Sequence, residues 1–125
     1  MNAVSKTRII LIVEDDPELR ELYRMALVAQ GYAVVAVADG LDALRQIEGS
    51  VLPTAVLLDL DLPRVGGRDV YRELRARADT STIPVLIVTG SDTSDLNPAD
   101  FRCILKKPIS VENLVSAVAD CLRKR

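Results

Sequence analysis

The chain reads as an α/β protein built on a doubly wound parallel sheet, and two observations predict it. Five short apolar runs alternate with segments whose apolar residues recur at helical spacing. The runs are nearly continuous in apolar character, so both faces of each strand are buried, which requires helices above and below the sheet. With 125 residues and 49% apolar content, the chain matches one domain with a proper core and leaves no room for a second module. The expectation is a single domain over residues 1–125, with its core at about residues 8–123.

Strands are predicted at Arg8 to Val13, Ala33 to Val37, Thr54 to Leu58, Val85 to Val88 and Arg102 to Leu105. Leu19, Leu22, Tyr23, Ala26 and Leu27 mark the face of a first helix, Ala43, Leu44 and Ile47 a second, Val70, Tyr71 and Leu74 a third, and Leu114, Ala117, Val118, Cys121 and Leu122 a last. Asp16 before Pro17 is an N-cap acid followed by a first-turn proline, Gly31 stands where the first helix should stop, and Ser110 can cap the final helix. In the fourth connection Asn97-Pro98 disfavours a full helix. The polar patches at Asp79 to Thr82 and Ser91 to Asp95 read as loops, and no internal repeat or linker interrupts the pattern.

Composition excludes several classes of function. Net charge is −2 and the basic residues are scattered apart from Arg123-Lys124-Arg125, so no basic stripe points to nucleic acid. The apolar run Ile9 to Val13 is far too short to span a membrane, and Met1 to Arg8 is polar, so a cytoplasmic location is expected. Cys103 and Cys121 lie in apolar contexts without ligand-like spacing and read as small buried thiols.

The chemistry sits at the strand ends. Glu14 and Asp15, then Asp59, Thr89 and Lys107 each close a separate apolar run. In a parallel sheet the carboxyl ends of the strands share one edge, so these residues converge on one crevice. Three carboxylates brought together repel unless a cation joins them, and a hard divalent ion such as Mg²⁺ accepts such oxygen ligands while keeping several waters. Asp59 opens a turn that leaves its carboxylate able to attack phosphorus. Thr89 can donate its hydroxyl to a phosphoryl oxygen, and Lys107 can reach another with its ammonium. Each residue alone has a plainer explanation, since acids after strands cap helices or open turns. Their joint placement decides in favour of a site.

The segments Leu11-Ile12-Val13-Glu14-Asp15-Asp16, Leu57-Leu58-Asp59-Leu60-Asp61-Leu62-Pro63 with Gly67, Val88-Thr89-Gly90 and Lys107-Pro108 are similar to those of receiver domains of bacterial two-component response regulators. The spacings of 44, 30 and 18 residues from Asp15 to Asp59 to Thr89 to Lys107 make the resemblance specific. It implies a sheet order of 2-1-3-4-5 and a cis Lys107-Pro108 peptide. It also implies Asp59 as phosphoacceptor, Asp15 as a direct Mg²⁺ ligand, Glu14 as a ligand through water and Asp61 as a ligand through its carbonyl. Thr89 and Lys107 would hold the phosphoryl group. The implied donor is a phosphohistidine on a sensor histidine kinase or histidine phosphotransfer protein, and a downstream protein target would read the result. Such a domain catalyses only its own phosphorylation and dephosphorylation, and with no output module the chain resembles a stand-alone receiver, the alternative being the receiver part of a longer chain.

Against that family pattern, Ile104 stands where many receivers carry a tyrosine or phenylalanine that swings inward, and the stretch from Thr89 to Lys107 is short. A fourth helix that is short, distorted or absent is therefore expected, with signalling through loop ordering. Asp61 and Ser91 occupy positions that tune dephosphorylation in the family. Glu18, Arg20, Glu21 and Arg24, with the Pro108-Ile109-Ser110 loop, border the site as the expected docking area. Two other readings compete: a receiver-shaped adaptor that is never phosphorylated, and a phosphatase similar to haloacid dehalogenases, which also use a motif like Asp59-Leu60-Asp61 but place it on their first strand.

Overall fold

The computed structural model describes residues 8–49 and 51–123. The polar segment expected before the first strand, and Lys124 and Arg125 of the basic tail, lie outside the described residues. In chain order the elements are β1 (Ile9–Val13), α1 (Pro17–Ala29), β2 (Ala33–Val37), α2 (Gly40–Ile47), β3 (Ala55–Leu58), α3 (Gly67–Ala76), β4 (Val85–Thr89), a 3-10 turn (Pro98–Asp100), β5 (Cys103–Lys106) and α4 (Val111–Arg123). All strand pairs are parallel and the order is β2-β1-β3-β4-β5, as expected.

Burial explains the continuous apolar runs. The inner strands β3 and β4 are buried at every position, whereas the edge strands β2 and β5 are half-buried for most of their length. Alternate strand residues feed two apolar layers. Leu11, Val56 and Ile87 pack with Ile47 of α2 and Val70 and Leu74 of α3. Ile12, Leu57 and Val88 pack on the other face with Tyr23 and Leu27 of α1 and Leu114 and Val118 of α4. Each such side chain contributes about 1.5–3 kcal/mol by leaving water.

The caps do what the sequence implies. Asp16 Oδ1 accepts from the backbone N–H groups of Glu18 and Leu19 at 2.9 and 3.3 Å, with Pro17 in the first turn. Gly31 adopts φ +99°, a left-handed conformation that ends α1 while Tyr32 N–H returns to the Leu27 carbonyl at 3.2 Å. Ser110 Oγ accepts from Asn113 N–H at 3.1 Å at the start of α4.

The fourth connection holds only the three-residue 3-10 turn, capped by the Asn97 side chain on Ala99 N–H at 3.1 Å and opened by Pro98. The expected loss of a full helix is what the chain adopts. Two expectations need adjustment. Thr89 is the last residue of β4 and does not follow it, because its carbonyl still pairs with β5 through Lys107 N–H at 2.9 Å. Cys121 is buried as expected, but Cys103 is only half-buried because it opens an edge strand.

Candidate phosphoryl and metal site

The sheet ladder runs one residue past the strand tips, and that extension aims the site. Glu14 N–H donates to the Val37 carbonyl at 3.1 Å, Asp59 N–H to Val13 at 3.0 Å, and Lys107 N–H to Thr89 at 2.9 Å. Three side chains distant in sequence are thereby held by backbone bonds to adjacent strands at one sheet edge. Glu14, Asp59 and Thr89 are buried at 2%, 5% and 0% exposure, while Asp15 faces solvent.

Lys107 Nζ lies 2.7 Å from Glu14 Oε1 and 2.9 Å from Asp59 Oδ2, so one ammonium bridges two buried carboxylates. Their remaining oxygens accept backbone donors: Glu14 Oε2 from Asp16 N–H and Asp59 Oδ1 from Asp61 N–H, both at 3.1 Å. Burial pushes the Glu14 carboxyl above its ordinary range, with the nearby Asp59 charge adding to this against the opposing Lys107 and Asp16 bonds. For Lys107 burial alone would lower the pKa, yet its bonds to Glu14 and Asp59 outweigh it and hold the ammonium above its ordinary value. The site therefore keeps a fixed positive charge among its acids.

Glu14, Asp15 and Asp59 offer ligand oxygens that all lie within 4.8 Å of one another. Three carboxylates against one ammonium leave an excess of two negative charges when all are ionised, and the donors are all oxygen. That donor set fits Mg²⁺, which prefers hard ligands and completes its shell with water.

Asp61 is exposed, and its carboxylate accepts from Ser91 Oγ across the mouth of the site. Ser91 is a small hub: its N–H donates to Thr89 Oγ1 at 3.2 Å, and its carbonyl accepts from Lys106 Nζ. The Lys107-Pro108 peptide is cis, as the family resemblance implied.

One residue plays a part that the sequence did not indicate. Arg20 was expected among the outward docking residues. Its guanidinium instead folds back, donating to the Glu14 carbonyl at 3.0 Å and the Asp15 carbonyl at 3.4 Å. This fixes the loop that presents the acids, and no local sequence signal separates such an arginine from a solvated one. Gly67, which accompanies the Asp59 segment in the family resemblance, has a steric reason to be glycine. A Cβ there would stand 2.3 Å from the Asp59 carbonyl oxygen and 2.6 Å from Leu60 Cα, so only glycine lets α3 approach the Asp59 turn this closely.

Residues 10–119 match the response regulator receiver domain family, and the chain belongs to it. The response regulator MprA of Mycobacterium sp. (strain KMS) is 35% identical over 119 residues, which cover 92% of this chain and 50% of that protein. MprA of Mycobacterium avium (strain 104) is also 35% identical, covering 92% and 51%. The chain thus spans about half the length of the curated relatives it matches.

Among solved structures, a putative response regulator from Chloroflexus aurantiacus J-10-fl superposes with TM-score 0.84 at 31% identity, covering 95% of this chain and 100% of that one. The receiver domain of the sensor histidine kinase PA1611 from Pseudomonas aeruginosa PAO1 also gives 0.84, at 28% identity with the same coverage, and holds a magnesium ion in its active site cleft. The protein is a receiver domain of two-component response regulators whose acidic pocket is consistent with aspartate phosphorylation and magnesium binding. Receiver domains are signalling domains and not classical enzymes. The Asp59-Leu60-Asp61 motif follows β3, the third strand, unlike the first-strand motif of the dehalogenase-like phosphatases. Among the described residues no helix is long and apolar enough to cross a membrane.

Proposed function

We propose that residues 8–123 act as one receiver unit in which Asp59 accepts a phosphoryl group from a phosphohistidine. The observation that carries this is the bridge of Lys107 between Glu14 and Asp59 beside the outward-facing Asp15. An Asp59 carboxylate oxygen attacks phosphorus in line, the bond from phosphorus to the donor nitrogen breaks, and an acyl phosphate forms on Asp59. Asp61 N–H holds Asp59 Oδ1 and so orients the carboxylate for attack. Lys107 and the Thr89 hydroxyl then hold two of the phosphoryl oxygens. Glu14, Asp15, Asp59 and the Asp61 carbonyl are the residues that would hold Mg²⁺, which supplies charge neutralisation for the incoming phosphoryl group.

The donor is a sensor histidine kinase or histidine phosphotransfer protein. Its landing surface is the outer face of α1, where Leu22 and Met25 are 45% and 57% exposed beside Glu18, Glu21 and Arg24. A downstream protein target reads the phosphorylated form. The test is intact mass after incubation with acetyl phosphate and Mg²⁺. Wild type should gain one phosphoryl group and Asp59→Asn none. An unmodified wild type would support the adaptor reading and end this one.

A further inference from the structure

Among the described residues one residue other than glycine holds a left-handed backbone: Arg64, at φ +70°. It sits at the centre of a tight turn that Val65 N–H closes on the Pro63 carbonyl at 2.8 Å. In that conformation the Cβ crowds a backbone carbonyl, so the turn persists only where its surroundings over-determine it. Glycine or asparagine is the ordinary choice at such a point. Arginine brings a guanidinium instead, and the start of α2 receives it. Arg64 Nε lies 3.1 Å from Asp39 Oδ2, and its Nη2 lies 3.5 Å from Asp42 Oδ1. The Asp39 carboxylate is mostly shielded from water and also caps α2, accepting Asp42 N–H at 2.8 Å. Packing adds a second hold. A Cβ at Gly40 would stand 1.8 Å from the Val65 carbonyl oxygen, so α2 begins directly against the turn.

The turn belongs to the loop that serves the site. The Leu60 carbonyl accepts N–H from Leu62 at 3.2 Å and from Gly67 at 3.1 Å, so the loop closes on itself around Arg64. Inside that closure Asp61 N–H donates to Asp59 Oδ1 at 3.1 Å. Relaxing Arg64 to negative φ would redirect the chain between Leu60 and Gly67, the stretch that presents this donor. We propose that Arg64 is a positioning residue for Asp59: clamped by Asp39 and Asp42, it holds the turn in its strained form and thereby keeps the Asp61 N–H on the reacting carboxylate. This rests on the reading of Asp59 as phosphoacceptor, and it ties to the reaction a helix, α2, that contributes no residue to the site. Because the arginine is half exposed, the clamp adds little to global stability. Its effect falls on the geometry of the loop, where small misplacements are costly to a reaction.

Three variants separate the strain from the charge. Arg64→Met keeps the Cβ and the stem but loses the clamp, so the turn should relax and the Asp61 and Gly67 amide signals of the unphosphorylated protein should shift. Its labelling by acetyl phosphate at saturating Mg²⁺ should slow about tenfold. Asp39→Asn keeps an acceptor for the α2 cap and should slow labelling less, because Asp42 still faces Arg64. Arg64→Gly also loses the clamp, yet glycine adopts positive φ without strain, so its rate should stay within about twofold of wild type. Rescue by glycine is the result that a purely electrostatic role for Arg64 would not give. Arg64→Met labelling at the wild-type rate, unmoved Asp61 signals in that variant, or Arg64→Gly as slow as Arg64→Met would each overturn the proposal. The amide signals need no phosphoryl donor, so they judge the Arg64 turn by themselves, whereas a wild type that takes no label fails the Asp59 reading.

Discussion

Lys107 and Glu14 meet at 2.7 Å with side-chain exposures of 19% and 3%, so the ammonium is the principal countercharge of a buried carboxylate. Replacing Lys107 by methionine removes that charge without removing the acids. The variant should lose about 3 kcal/mol of stability without metal, the usual cost of breaking a buried pair. Mg²⁺ then has more repulsion to relieve, so its stabilising effect should be larger in Lys107→Met than in wild type. Thermal unfolding with and without Mg²⁺ checks both points, and an equal Mg²⁺ effect in the two proteins would contradict the shared-charge account.

Gly67 tests how closely α3 is tied to the Asp59 turn. In Gly67→Ala the new methyl collides with backbone atoms at 2.3 and 2.6 Å, and backbone cannot rotate away as a side chain could. The expected loss is about 1–3 kcal/mol in urea unfolding, typical of overpacking. Labelling by acetyl phosphate should slow as well, because relieving the clash moves Asp59. Unchanged stability would show that the turn yields easily.

Much of this molecule is legible in its sequence. The inner strands Ala55–Leu58 and Val85–Thr89 are recognisable because burial on both faces forces continuous apolar runs, and Pro98 signals the missing helix through its absent N–H. Glu14, Asp59 and Lys107 are legible as a group because parallel topology sends every strand's carboxyl end to one edge. The positioning role of Arg20 was not, since it rests on the carbonyls of Glu14 and Asp15, and nothing in the side-chain pattern records a carbonyl.

Arg20 and Arg24 sit one turn apart on α1 yet should behave differently. Arg20 donates to the carbonyls of Glu14 and Asp15, whereas among the described residues Arg24 pairs only with Glu21, its Nε 2.8 Å from Oε1 on the surface. Arg20→Glu should therefore slow phosphorylation by both a kinase and acetyl phosphate, because the acidic loop itself loses support. Arg24→Glu should slow only the kinase reaction and leave stability nearly unchanged, because solvent and salt screen so exposed a pair. Rates with the two donors separate the cases, and normal acetyl phosphate labelling of Arg20→Glu would refute the positioning role.

The response to phosphorylation should run through the loop after β4 and not through an aromatic ring. Ile104 has no ring to swing, and it packs against the apolar layer under α2 and α3. Phe101, the nearby ring, is buried and packed at a 41° tilt against Tyr71, which is itself bonded to the Asp100 carbonyl and reached by Arg75 Nε at 3.2 Å. By contrast, the segment from Ser91 to Leu96 is tied mainly by exposed contacts to Asp61, Lys106 and Arg68, the kind that open at low cost. Thr89 Oγ1 accepts Ser91 N–H at present. Turning that hydroxyl toward a phosphoryl oxygen on Asp59 would release Ser91 and with it the loop. With a beryllofluoride mimic on Asp59, amide shifts should be largest from Ser91 to Leu96 while the ring signals of Phe101 and Tyr71 stay in place. Ser91→Ala should reduce the loop shifts by removing the bond to Asp61 beforehand, and concerted movement of the Phe101 ring would reject this route.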